Sequence, residues 1–233
     1  MSALSLVIGN KAYSSWSLRP WLVLRQAGLS FAEIVIPLRQ PDTATRIGLV
    51  SAAGKVPVLL DGDLVVWESL AICEYVAERA PGAGLWPAES GARAIARSVA
   101  QEMHAGFPAL RRSMPMDLRQ RLPGAGRTPE CLIDIARVTA LWRSVLDRTA
   151  RAGTGADGPF LFGGFTIADA MFAPVCTRFA TYGVELDPVS HAYQQAVLAL
   201  PAMQEWTQAA AAEPWVIDFS VGQAVPSAVF PTR

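Results

Sequence analysis

The sequence predicts an α/β unit followed by an all-helical one. Three observations carry that expectation. A strand, a helix and a second strand alternate within the first 36 residues, the signature of a parallel pair joined by a crossover. Two short apolar runs then flank a turn signal and lead into a helix that ends near residue 79. Beyond a Pro/Gly-rich stretch at 80–91, only helical periodicity recurs.

Taken in order, residues 5–9 are a short apolar strand, and Tyr13-Ser-Ser-Trp-Ser17 places hydroxyls where a helix begins. The helix spans 17–27 and is closed by Gly28, and residues 31–36 form the second strand. The less regular stretch 39–51 holds a short second helix. Strands at 56–60 and 64–67 flank Asp61-Gly62, a hairpin signal, and 68–79 is helical with Leu70, Ile72, Tyr75 and Val76 as apolar contacts. The order is βαβαββα. This sets the expected boundaries: a first domain at 1–80, a linker at 81–91 and a helical domain at 92–233.

In the helical half, Ile95, Val99, Met103, Phe107, Leu110 and Met114 keep steps of three or four, and Ile135, Val138, Trp142 and Val145 repeat the stripe. Pro108 falls inside the first stripe and is expected to kink that helix. Thr166-Ile-Ala-Asp169 is a capping box, a helix start secured by its own side chains. The helix that follows is apolar nearly all round, which marks it as the buried centre of the second domain.

With 233 residues, 52% hydrophobic and 17% charged, the chain has material for two domains sharing an interface and is far from disordered composition. Basic and acidic residues balance at 20 each, leaving no electrostatic footprint for nucleic acid. No apolar run is long enough to span a membrane, and the first residues lack the pattern of a secretory signal, so a cytoplasmic location is expected. Arg111, Arg112, Arg119, Arg121 and Arg127 gather with only Asp117 opposing, a solvated bend or a preference for an acidic ligand. Cys73, Cys131 and Cys176 are odd in number and far apart, which disfavours disulfides, a metal site and dithiol redox chemistry.

Four motifs carry a family likeness: Ser14-Ser-Trp-Ser-Leu-Arg-Pro-Trp21, Gly54-Lys-Val-Pro-Val-Leu59, Glu68-Ser-Leu-Ala-Ile72 and Phe165-Thr-Ile-Ala-Asp-Ala170. In this order and at these separations they resemble glutathione S-transferases. The first is most similar to the zeta class, which includes maleylacetoacetate isomerases, with Trp16 standing where that class usually has cysteine. The resemblance implies a thioredoxin-like N-terminal domain, a helical C-terminal domain, glutathione as co-substrate without a metal, and a homodimer. It also implies a role in detoxification, with a small electrophile as the other substrate.

What the site residues must do follows from the chemistry. A free thiol has a pKa of about 8.5, and lowering it by roughly two units takes about 2.7 kcal/mol of preference for the anion. A hydrogen bond to a charged acceptor supplies about 1.5–3 kcal/mol. Ser14 and Ser15 are the candidate catalytic residues: one hydroxyl caps the helix while the other donates to sulfur. The zeta-class pattern selects Ser14, whereas counting back from Arg19 selects Ser15.

For the tripeptide, the resemblance implies that Val56-Pro57 is a cis bond whose Val56 backbone pairs with the cysteinyl unit by strand addition. It sets Lys55 toward the glycyl carboxylate, and Glu68 with Ser69 toward the γ-glutamyl end at a helix start. Trp16, Met103, His104, Phe107 and Arg111 are the candidate electrophile pocket, the last four being equally suited to pack against the other domain or a partner subunit and Trp16 to ordinary packing. The activity so implied is addition of glutathione to an electrophile. The alternatives are a glutathione-dependent cis–trans isomerase, with Arg111 or Arg178 holding a substrate carboxylate, and a non-catalytic binding or scaffold protein.

Overall fold

A computed structural model of the chain describes residues 3–152 and 158–219. The outer ends of both expected domains, and residues 153–157, lie outside this description.

The first half runs β1 (Leu4–Ile8), α1 (Ser15–Gln26), β2 (Phe31–Val35), α2 (Thr43–Gly48), β3 (Val58–Asp61), β4 (Leu64–Trp67) and α3 (Ser69–Arg79). The sheet order is β2-β1-β3-β4. β1 pairs parallel with β2, Leu4 opposite Phe31 and Ile8 opposite Val35. It pairs antiparallel with β3, Leu6 opposite Leu59. This mixed sheet, carrying α1 and α3 packed against each other, is the thioredoxin-like arrangement.

Local sequence explains the junctions. The β3–β4 turn is Gly62-Asp63, one residue later than the expected Asp61-Gly62, because Asp61 pairs with Leu64 and only two residues connect them. Gly62 takes a positive φ of 61°, which a glycine-first hairpin turn requires. At the end of β1, a Cβ on Gly9 would sit 2.7 Å from Leu38 Cδ1, so a side chain there would collide with the β2–α2 connection. α1 begins at Ser15, two residues earlier than expected, because Ser14 takes the N-cap and accepts from the Ser17 amide.

The second half runs α4 (Ser90–Ala105), α5 (Pro108–Ser113), α6 (Pro129–Ala152), α7 (Ile167–Tyr182), α8 (Pro188–Leu198) and α9 (Pro201–Ala212). Pro108 does not kink a continuous helix as expected. The chain leaves the helix at Gly106 and passes through a left-handed Phe107 (φ 62°), and Pro108 opens a new helix where its missing amide would have had no partner.

Fifteen of the sixteen residues of α7 are buried, which makes it the centre of this half. Its capping box forms as expected: Asp169 accepts from the Thr166 amide at 2.8 Å and the Thr166 hydroxyl at 2.9 Å. The same carboxylate takes the Leu161 amide and the Tyr193 hydroxyl. Burial pushes Asp169 up to about 6, against the lowering effect of these four donors.

One apolar core runs through both halves, from Leu6 and Leu22 to Phe172 and Trp206, and α1 packs directly on α7. After α9 the chain returns to the first half as a strap. Glu213 accepts from the Lys11 amide at 2.7 Å and the Ala12 amide at 3.0 Å. Arg119 then ties the Glu213 and Trp215 carbonyls to the Tyr13 hydroxyl.

Candidate functional site

A cleft of about 550 Å³ opens where β3, the start of α3 and the end of α4 meet. Its volume lies within the usual range for small-molecule sites. The floor is the loop before β3. Val56-Pro57 is a cis bond, and among the described residues the Val56 amide and carbonyl enter no backbone hydrogen bond, so both remain free to pair with an extended ligand. Lys55 stands exposed at the rim with no ion-pair partner among the described residues.

The start of α3 supplies the polar end. Glu68 is its N-cap and holds φ 67°, unusual for a residue with a side chain. Its carboxylate does not cap the helix and instead lies 3.9 Å from His104 Nε2. Ser69 at the first helical position is 1% exposed, and its hydroxyl has no hydrogen-bond partner although it lines the cleft. A buried hydroxyl left unpaired is costly, and at a helix start it sits beside amides that favour an anion.

Trp16 and His104 form the opposite wall, edge to face with centroids 5.3 Å apart. The His104 pKa is lowered by burial first, with Arg19 and Arg111 adding to the effect and Glu68 opposing it. The Trp16 ring also carries two guanidinium groups, Arg19 at 4.2 Å and Arg111 at 4.6 Å from its centroid.

Both serines lie just behind this wall, and neither lines the cleft. The Ser14 hydroxyl is 2.7 Å from that of Ser17, and Ser17 Oγ in turn accepts from the Gly9 amide. Ser15, at the first position of α1, accepts from Arg178 Nη2 at 3.2 Å.

Sequence reasoning therefore brought Trp16, Lys55, Val56, Pro57, Glu68, Ser69 and His104 to one cleft. Met103 and Phe107, expected on the electrophile side, are instead core residues at 0% and 5% exposure. The break at Gly106 turns Phe107 away from the face that carries His104. Arg111 folds back on its own segment, donating to the Met103 carbonyl and to Gly106 O, the latter at 3.1 Å.

The chief omission was Arg19. It is fully buried, donates from Nε to Met171 O at 3.2 Å, and leaves both Nη atoms unpartnered. Its position on a helix face otherwise made of core residues was the available signal. With Arg111 and Arg178 it forms a group of three cations, none of which has an ion-pair partner among the described residues. Burial lowers all three, Arg111 to about 10 and Arg178 to about 9. Mutual repulsion adds to this at Arg19 and Arg178, whereas Asp134 partly offsets it at Arg111. Among the described residues no cluster suited to a metal ion occurs, and no helix is long and apolar enough to cross a membrane.

Fold and cleft together define a two-domain protein of thioredoxin-like and helical halves with a peptide-sized groove, mainly apolar but carrying Lys55, Glu68, Ser69 and His104, where the two meet. The model of the glutathione S-transferase N-terminal domain matches residues 13–79, and that of the glutathione S-transferase C-terminal domain matches 134–209. The two take in more than half of the sequence, and the chain belongs to the glutathione S-transferase family.

Over 175 residues it is 25% identical to a "Probable maleylacetoacetate isomerase" of Caenorhabditis elegans, covering 75% of this chain and 78% of that one. A shorter stretch of 33 residues is 58% identical to a dichloromethane dehalogenase of Methylorubrum extorquens. That stretch is 14% of this chain and spans only 12% of the dehalogenase. Among solved structures, a Burkholderia glutathione transferase homolog with bound glutathione superposes with a TM-score of 0.63 at 22% identity, covering 91% of this chain and 99% of that one.

Proposed function

We propose that the chain is a glutathione transferase that binds the tripeptide along the cleft and presents its sulfur, as thiolate, to a small electrophile. The observation that carries this reading is the Ser69 hydroxyl, buried and unpartnered at the start of α3 in the same cleft as Lys55 and Val56. The γ-glutamyl carboxylate satisfies that hydroxyl and the neighbouring helix amides, and Glu68 receives the ammonium. The Val56 backbone pairs with the cysteinyl unit, and Lys55 meets the glycyl carboxylate.

This pose directs the sulfur toward the front of α1, where the serines supply a donor. Ser14 and Ser17 share one hydroxyl–hydroxyl hydrogen bond in which either can donate; with Ser17 as the donor, the Ser14 proton has no acceptor among the described residues. The Ser15 hydroxyl likewise accepts from Arg178 while its own proton has no acceptor among the described residues. Ser15 can therefore give a hydrogen bond to sulfur without breaking one it already makes, and so can Ser14 when Ser17 is the donor between them. The thiol proton leaves to water, and the thiolate adds to an electrophilic carbon held nearby.

Following the ultraviolet thiolate band of bound glutathione against pH, in the native protein and in Ser14→Ala and Ser15→Ala, tests this reading. At least one variant should shift ionisation upward by about one unit or more. Native ionisation in both would sink the serine mechanism.

A glutathione-dependent cis–trans isomerase is the second reading. It is favoured by the similarity to the Caenorhabditis elegans protein and by the arginine group behind Trp16, which suits a carboxylate-bearing substrate. Turnover of a maleyl keto-acid with no net consumption of glutathione selects it. Retention on immobilised glutathione without turnover of any electrophile would instead mark a binding protein.

A further inference from the structure

We propose that Arg178, on the central helix of the second half, is a positioning residue that makes Ser15 the donor to the glutathione sulfur. The proposal rests on the serine reading above.

Arg178 is 4% exposed and uses all three nitrogens. Nε donates to Met114 O at 2.8 Å, Nη1 to Pro174 O at 3.2 Å and Nη2 to Ser15 Oγ at 3.2 Å. The two carbonyls, one from the end of α5 and one from α7 itself, fix the guanidinium plane. The third contact is the only one to a group that carries a proton of its own. A serine hydroxyl that accepts a charge-assisted bond has its lone pair engaged and its O–H polarised outward. Ser15 is thereby held as a donor, and its proton has no other acceptor among the described residues. Ser14 differs: its partner is the neutral hydroxyl of Ser17, which polarises it less.

The surroundings strengthen the effect. The charged groups acting on Arg178 are Arg111 and, at high pH, the Tyr182 hydroxyl, while Arg19 also feels Arg178. A desolvated cation with like-charged neighbours and no carboxylate partner is poorly compensated. A negative sulfur beyond Ser15 supplies the missing counter-charge. No covalent step is involved: Arg178 and Ser15 keep their protons, and the one released is the thiol's.

The test is a double-mutant cycle read by the thiolate band of bound glutathione, with glutathione affinity measured alongside. Arg178→Gln is expected to raise the thiol pKa by about one unit, roughly tenfold less thiolate below it, with affinity for the protonated tripeptide, measured below the native thiol pKa, within about twofold of native. In the Ser15→Ala background the same substitution should add nothing. Arg178→Lys keeps the charge but cannot hold the two carbonyls and reach Ser15 together, so it should give an intermediate shift and serves where the Gln variant does not fold. Native thiol ionisation in a folded Arg178 variant, while Ser15→Ala shifts it, would overturn the role of Arg178 alone. So would shifts that add in the double variant. Native ionisation in Ser15→Ala would instead remove the serine as donor, and this proposal with it.

Discussion

The indole of Trp16 meets the imidazole of His104 edge to face, centroids 5.3 Å apart, at the wall of the cleft. Burial behind that indole is the leading reason the imidazole resists protonation, and two arginines reinforce it. His104 is therefore expected to be neutral at pH 7, with an NMR titration midpoint below the ordinary 6.5. Trp16→Ala should move that midpoint upward. As pH falls through 6.5 the unfolded chain takes up this proton first, so His104 contributes a loss of stability on the acid side. A midpoint at or above 6.5 in the native protein would contradict the arrangement.

Ser69→Ala separates binding from folding. Removing an unpartnered hydroxyl should leave the denaturant midpoint unchanged or slightly raised. Glutathione affinity should nevertheless fall by about five- to tenfold, equivalent to one hydrogen bond of about 1–1.5 kcal/mol. Calorimetric titration of the folded variant checks this, and unchanged affinity would remove Ser69 from the site.

Asp169 gives a stability profile of the opposite sign to His104. Its native carboxyl holds its proton up to about pH 6, whereas the unfolded chain releases it near 3.8. Between those values the folded state binds more protons, so stability falls as pH rises, by on the order of 2–3 kcal/mol, and levels off above pH 6. Urea unfolding at pH 4, 5, 6 and 7 should show this slope in the native protein and lose it in Asp169→Asn.

Glu213→Ala tests the strap. The substitution frees the Lys11 and Ala12 amides, and the loss of two charge-assisted bonds is expected to cost about 2 kcal/mol. For a chain of this size that is a fall in Tm of about 4–8 °C. A scan within a degree of native would show that the strap adds no stability.

The fold was legible wherever local chemistry dictates it. The strand–helix–strand opening, the Thr166–Asp169 box and the apolar α7 each announce themselves within a few residues. The same holds for much of the cleft, since Val56-Pro57 and Glu68-Ser69 fall on loop and helix-start positions that the pattern already fixes. What escaped depends on backbone and packing over longer range. The left-handed Phe107 ends the helix that the three-and-four spacing seemed to continue, whereas Met103 lies before that break and is buried one turn after Val99 on the core face of α4. Arg19 and Arg178 lie 159 positions apart in sequence, and only the packing of α1 on α7 makes them neighbours.

All three cysteines of the chain are buried, and burial is the first cause pushing each thiol up, Cys131 to about 11 and the other two further. Near neutrality the polypeptide is thus spectroscopically silent at sulfur and slow to alkylate. Whatever thiolate absorbs, and whatever electrophile is captured, reports on the guest in the groove rather than on its host.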